Sequence, residues 1–186
     1  MNEAYQIKNL RNSINYLVQN SGLISALLRL AQREGHQLYL VGGFIRDTLL
    51  GRSSKDVDFV SPRASDLAKS LAKETGTRLA LIDRKFGTIR LIPSAGLNEL
   101  SDLHQVDLSP LRGSSIAADL KQRDFTVNAL AVELSAWQAD GTFDLLDPLD
   151  GLAHIRAGRL QLCSPRSLED DPLRILRAYR LAASHD

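Results

Sequence analysis

Two short stretches carry residues whose types and spacing could perform chemistry. The first is Gly42-Gly43-Phe44-Ile45-Arg46-Asp47 and the second is Asp56-Val57-Asp58. Glycines that end a strand and open a helix let the backbone approach a phosphate closely, and a helix N-terminus adds positive potential. Arg46 lies one turn into that helix and can pair with the same phosphates. Asp56 and Asp58 are two apart on a predicted strand, so both side chains point to one face. Paired carboxylates make a hard-oxygen site for magnesium. Magnesium beside phosphate-binding glycines equips a chain for phosphoryl or nucleotidyl transfer. Taken singly, a Gly-Gly pair is commonly only a turn, and two strand aspartates a solvated face. Their combination at this spacing favours the chemical reading.

These residues need elements to position them. Apolar residues at Ile14, Leu17, Val18, Ile24, Leu27, Leu28 and Ala31 have helical spacing, broken near Ser21-Gly22. Gln37 to Val41 is a short apolar run ending at Gly42, a buried-strand pattern, and Phe44 to Leu50 is a short helix closed by Gly51. Val57–Val60 is a second strand. Ala64 to Glu74 is helical and stops at Gly76. Strands are predicted at Thr77–Ile82 and Thr88–Pro93 around a turn at Asp83–Gly87, and again at Gln105–Leu108. Phe125–Leu134 fits helix or strand, and Asp140-Gly141 marks a turn. Asp147 to Gly151 is a tight loop and Ser164-Pro165 a break. Ser167 to Ala183 then reads as one amphipathic helix, capped either by Ser167 or by Asp171 with Pro172 at the first helical position.

Composition bounds what these elements can build. The chain has 186 residues, 44% of them hydrophobic and 24% charged. That is ordinary globular composition, which excludes a disordered chain, a collagen-like chain and a disulfide scaffold. Lys+Arg is 23 against Asp+Glu 22, so any nucleic-acid role needs a local basic patch. The single Cys163 excludes an internal disulfide and is compatible with a reducing cytoplasm. No apolar run approaches the ~18 residues of a membrane span, and the N-terminus lacks the apolar core of a signal peptide. A cytoplasmic protein with no membrane partner is expected.

The sequence LVGGFIRDTLLG followed by KDVDFV resembles the catalytic head of the class II CCA-adding enzymes and bacterial poly(A) polymerases, within the polymerase-beta-like nucleotidyltransferases. Three further motifs extend the likeness. Gln122 to Leu130 resembles the family's arginine–aspartate motif, Asp144 to Gly151 its head-to-neck connector, and Asp170 to Arg177 its base-selecting motif. The match runs from about Leu38 to Ala183 and leaves residues 1–35 outside. The resemblance implies an α/β (α+β) fold, with a mixed, mostly antiparallel nucleotidyltransferase sheet, flanking helices and the start of an all-α neck. It divides the chain into an N-terminal helical extension (1–35), a head (36–147), and a connector with the first neck helix (148–186). Little chain follows that helix, so an incomplete second domain is expected.

The resemblance also implies a site. Asp56 and Asp58 would hold magnesium, and Asp107, on the QVDL strand, is the candidate third carboxylate, with an ordinary strand aspartate as the other reading. Gly43 and Arg46 would hold phosphates, and Arg123 the nucleotide's phosphate or ribose. Asp171 and Arg174 would read the base edge of CTP or ATP, a carboxylate accepting from an amine and a guanidinium donating to a ring acceptor. Arg177 and Arg180 would face the triphosphate. A solvated basic helix face is the alternative for this last group. The implied partners are CTP, ATP and the 3′ end of tRNA or another RNA, with oligomeric state left open.

Three departures from the family pattern qualify this reading. Gln122 stands where a first arginine is usual, and Asp170 where a glutamate is usual. Only a short stretch links Arg112 to Arg123, where many CCA-adding members carry a longer loop. The short form resembles the CC-adding branch. The alternatives are a full CCA-adding enzyme, a poly(A) polymerase, a small-molecule nucleotidyltransferase of the same fold, and a non-catalytic RNA-binding remnant. The base-selecting helix argues against the small-molecule enzyme, and the intact aspartate pair against the remnant.

Overall fold

The computed structural model describes residues 2–97, 103–137 and 142–183. The expected break at Ser21-Gly22 separates two helices, α1 (Glu3–Asn20) and α2 (Gly22–Glu34). The Asn2 side chain caps α1 by accepting from Ala4 N, and the Ser21 hydroxyl caps α2 by accepting from Ile24 N. Gly35 ends α2 in the left-handed region at φ 67°, a conformation that carries no steric penalty for glycine. Helix α1 begins well before the first residue marked by apolar spacing, because its buried stripe includes the polar Gln6.

Strand β1 (Tyr39–Val41) leads into α3 (Gly43–Leu49), followed by β2 (Asp56–Ser61), α4 (Ala64–Thr75), β3 (Arg78–Asp83), β4 (Thr88–Ile92) and β5 (Gln105–Pro110). Helix α5 (Ile116–Lys121) follows. The ambiguous apolar run at 125–134 resolves into a 3-10 turn (Thr126–Asn128) and strand β6 (Ala131–Glu133). Strand β7 (Leu145–Leu146) and helices α6 (Gly151–Arg156), α7 (Ser167–Asp170) and α8 (Leu173–Ala183) follow. The turn expected at Asp140-Gly141 lies outside the described residues. Among the described residues, no helix is long and apolar enough to cross a membrane.

The strands form one seven-stranded sheet in the order β3-β4-β5-β2-β1-β6-β7. Among the described residues only the β2–β5 pair is parallel, so the sheet is mixed and mostly antiparallel as expected. Strand alternation sends Leu40, Val57, Phe59, Val106 and Leu108 to one face, where they pack with α1 to α4 in the main core. The opposite face carries Tyr39, Val41 and Val60 in a smaller cluster under α5 and the 3-10 turn. Asp56 and Asp58 share that second face with Val60, by the same alternation. The largest apolar burial thus backs the sheet and leaves its polar face clear.

The sequence pattern over Ser167–Ala183 predicts one helix, and the structure shows two. Asp171 is extended at φ −154°, and its carboxylate accepts from Leu173 N, so it caps α8. Pro172 cannot continue a helical hydrogen-bond ladder, and it disfavours helical geometry at the residue before it. The second of the two capping alternatives therefore describes α8.

Candidate active site

The polar sheet face is built by register. Asp58 on β2 stands opposite Val41 on β1 and opposite Asp107 on the parallel strand β5. Asp107 in turn stands opposite Arg90 on β4. Three carboxylates and one guanidinium therefore share one face across three strands. Asp56 and Asp58 are exposed, and the Arg123 charge acts on the Asp58 carboxylate. Asp107 is engaged: Arg90 Nε donates to its Oδ1 at 2.8 Å and Nη2 to its Oδ2 at 2.9 Å. Arg90 was not legible as a site residue, because only strand pairing places it beside Asp107. Its pairing with Asp107 holds the Arg90 pKa above the ordinary value.

The Asp58 carboxyl is held above the usual aspartate range. The first cause is the protein packed around it, which displaces hydrating water although part of the residue stays open. Arg123 opposes the shift, and the nearby charges of Asp107 and Asp56 add to it. Like charges crowded on one face are the condition that a divalent cation relieves.

Gly42 closes this face from above. Its φ of 78° and ψ of −138° suit glycine alone, and a Cβ there would lie 3.4 Å from Asp58 Oδ2 and 3.5 Å from Arg123 Nη1. Gly42, Asp58 and Arg123 therefore meet at one point. Gly43 opens α3, where a Cβ would meet Arg46 Nη2 at 3.5 Å. The Arg46 guanidinium is bidentate on Asp47, at 2.8 and 2.9 Å, and donates a third bond to Asn128 Oδ1. Asn128 Nδ2 passes the chain on to Asp124 Oδ1 at 3.1 Å, and Asp124 Oδ2 lies 3.5 Å from Arg177 Nη1. A continuous polar chain thus links α3, the 3-10 turn and α8.

Arg123 owes its position to Asp119. That carboxylate is fully buried, accepts from Arg123 Nε at 2.9 Å, and accepts from Arg112 N at 2.8 Å. Asp119 precedes Arg123 by one helical turn, an i,i+4 spacing that could have flagged it in the sequence. The short Arg112–Arg123 connection is thereby an ordered unit, with Ser115 capping α5 and Asp119 binding both ends.

The last helix meets the head through Arg174. Arg174 is 7% exposed, and its guanidinium donates to two backbone carbonyls, Nη1 to Arg123 O at 3.2 Å and Nη2 to Gln122 O at 3.0 Å. Its Nε lies 3.9 Å from Asp171 Oδ2. Arg174 is thus placed under the arginine–aspartate segment, while Arg180 is exposed and has no partner among the described residues. Leu173, Leu176 and Tyr179 form an exposed apolar stripe on the far side of α8, and Leu181 is buried.

Residues 38–161 match the family described as the poly A polymerase head domain. The chain belongs to that family. It is 40% identical over 165 residues to the CC-adding tRNA nucleotidyltransferase of Geobacter sulfurreducens, covering 88% of this chain and 36% of that protein. It is 36% identical over 151 residues to the A-adding tRNA nucleotidyltransferase of Aquifex aeolicus, covering 77% of this chain and 18% of that protein. Its fold is similar to that of the Thermotoga maritima CCA-adding enzyme complexed with tRNA-CCA. The TM-score is 0.68 at 33% identity, over 83% of this chain and 35% of that one. The chain spans about a third of the length of the CC-adding relatives it matches. Proteins similar to this chain are thus named for CC, A and CCA addition.

Proposed function

We propose that this chain is the catalytic head of a tRNA nucleotidyltransferase that adds C and/or A from CTP and ATP to an RNA 3′ end. The observation that carries the reading is the meeting of Gly42, Asp58 and Arg123 on a face lined by Asp56 and Asp107. Asp56 and Asp58 fit magnesium, because both are open carboxylates on one strand face and the crowding of like charge favours a cation there. Magnesium commonly takes only one or two protein carboxylates and completes its shell with water and substrate phosphates. Bound there, it supplies neutralisation of the triphosphate and activation of the attacking hydroxyl. Asp107, tied to Arg90, shapes the same face as the third carboxylate.

In the reaction, the RNA 3′-oxygen forms a bond to the α-phosphorus and loses its proton to solvent water. The bond from that phosphorus to the bridging oxygen breaks, and pyrophosphate leaves. Gly43 and Arg46 are assigned to the phosphates and Arg123 to the phosphate or ribose, with Arg177 and Arg180 approaching the triphosphate from α8. Asp171 and Arg174 are assigned to the base edge. For this, Arg174 exchanges its two carbonyl bonds for the base. The ordered, short Arg112–Arg123 connection supports a CC-adding specificity over full CCA addition.

The test is product length on a tRNA transcript lacking its CCA end, with CTP alone and with CTP plus ATP. Two added cytidines that ATP does not extend are the expected product. Asp58→Asn should remove incorporation by on the order of a hundredfold or more, the scale of losing a transition-state charge stabiliser. Near wild-type incorporation by that variant would overturn the reading.

A further inference from the structure

The polar sheet face continues beyond the carboxylates in one direction. From the Arg90–Asp107 pair, the next residues on the same face are Thr88 and Ser109, whose hydroxyls are 2.9 Å apart. Beyond them stands the β3–β4 turn. Asp83 Oδ1 accepts from Lys85 N at 2.8 Å and from Phe86 N at 3.0 Å, which fixes the turn and the start of the Phe86 side chain. Gly87 sets the turn against β5, since a Cβ there would lie 3.2 Å from Pro110 Cγ. The Arg112 guanidinium lies over the half-buried Phe86 ring, 4.2 Å from its centroid, and Lys85 Nζ lies 5.0 Å from the same centroid. Arg84 and Lys85 are exposed at the tip. The surroundings of Arg112 remove it from water, and Arg123 repels it, so its pKa falls below the ordinary value.

We propose that Phe86, with Arg112 and Lys85, is a stacking platform for the RNA acceptor strand just upstream of its reacting 3′ end. This rests on the nucleotidyl-transfer reading above. An aromatic ring flanked by cations is the composition that binds single-stranded nucleic acid, the ring stacking a base and the cations meeting phosphates. The chain's net charge of +1 makes such local basicity informative. The platform is also continuous with the carboxylate face. Arg90 to Phe86 is four residues along β4 and its turn, at most about 13 Å at strand spacing. Stacked nucleotides rise about 3.4 Å each, so this reach covers at most about four of them. The glycine side of the site carries the groups suited to a triphosphate, which leaves this opposite lane to the acceptor.

The experiment measures binding, so it does not depend on turnover. Short 5′-labelled single-stranded RNAs are titrated by fluorescence anisotropy with the wild-type chain and with Phe86→Ala, Phe86→Leu and Phe86→Trp. One series carries an abasic site at each of the last four positions. Loss of one stacked base should weaken binding by on the order of tenfold. Phe86→Ala and Phe86→Leu should show that loss, and Phe86→Trp should restore affinity. Leu keeps an apolar side chain on the turn, so it decides the matter if Ala fails to fold. At one position the abasic RNA should weaken wild type by the same factor and Phe86→Ala no further. Unchanged RNA affinity in both Phe86→Ala and Phe86→Leu, or an abasic penalty undiminished in them at every position, would overturn the platform. Magnesium-dependent CTP and ATP binding, measured on the same preparations, separates the two readings. Its absence from the wild-type chain counts against the nucleotidyl-transfer reading, whereas RNA affinity insensitive to Phe86 counts against the platform alone.

Discussion

Asp119 is the residue whose loss should most clearly report how the site is held. It is fully buried, and its two oxygens serve Arg123 Nε at 2.9 Å and Arg112 N at 2.8 Å. Asp119→Ala removes both acceptors at once. The Arg123 side chain is only 15% exposed, so its charge is left largely unpaired and partly desolvated. Removing one partner of a buried pair costs about 3–5 kcal/mol, and the residual exposure of Arg123 places this case near about 3. For a chain of this size that is a fall in melting temperature of roughly 6–12 °C. Asp119→Asn tests the origin of the effect. Its one carbonyl oxygen can serve Arg112 N, but its amide then turns a donor toward the Arg123 donor. Asn should therefore lose at least half of what Ala loses, although it is nearly isosteric. Thermal unfolding followed by circular dichroism measures both. A loss below about 1 kcal/mol for Asp119→Ala would refute the claim that this buried pair organises the site.

Two further predictions follow from packing and from burial. A Cβ on Gly151 would lie 2.3 Å from Thr126 O, so Gly151→Ala should cost about 3 kcal/mol or more by overpacking α6 against the 3-10 turn. Gly35→Ala, at φ 67° with open space around it, should cost only about 1 kcal/mol, and denaturant unfolding that reversed this order would contradict the packing account. Burial pushes the Cys163 thiol up to about 12, with Asp124 adding to the shift. The unfolded chain releases this proton near the usual thiol value of about 8.5 while the folded chain keeps it, so stability should fall as pH rises from there toward 12. Native Cys163 should resist alkylation at pH 8.5 and react freely in denaturant, and equal rates in the two states would show the burial to be wrong.

Sequence periodicity by itself determined the local parts of this molecule. Asp56 and Asp58 share a face because strand side chains alternate, and no distant contact is needed to know it. Ser21 and Gly35 bound α2 through their own hydroxyl and backbone conformation. The glycine turn was legible as a short motif for the same reason, and the arginine–aspartate segment only through its resemblance to a family motif. Only the tertiary structure decided which of these parts meet. Asp107 stands beside Asp58 by parallel register, and Arg90 occupies Asp107 by antiparallel register, relations between strands far apart in the chain. The helical spacing of Asp171, Arg174 and Arg177 reads as one exposed basic face. Pro172 instead ends the first helix, and Arg174 turns inward, where the carbonyls of Gln122 and Arg123 need donors. Phe86 in the β3–β4 turn meets Arg112 just after β5, a separation in sequence that carries no periodic signal. Alternation and capping act over a few residues and are written in the chain. Register and burial depend on which surfaces exclude water together, and that is settled only when the whole sheet has formed.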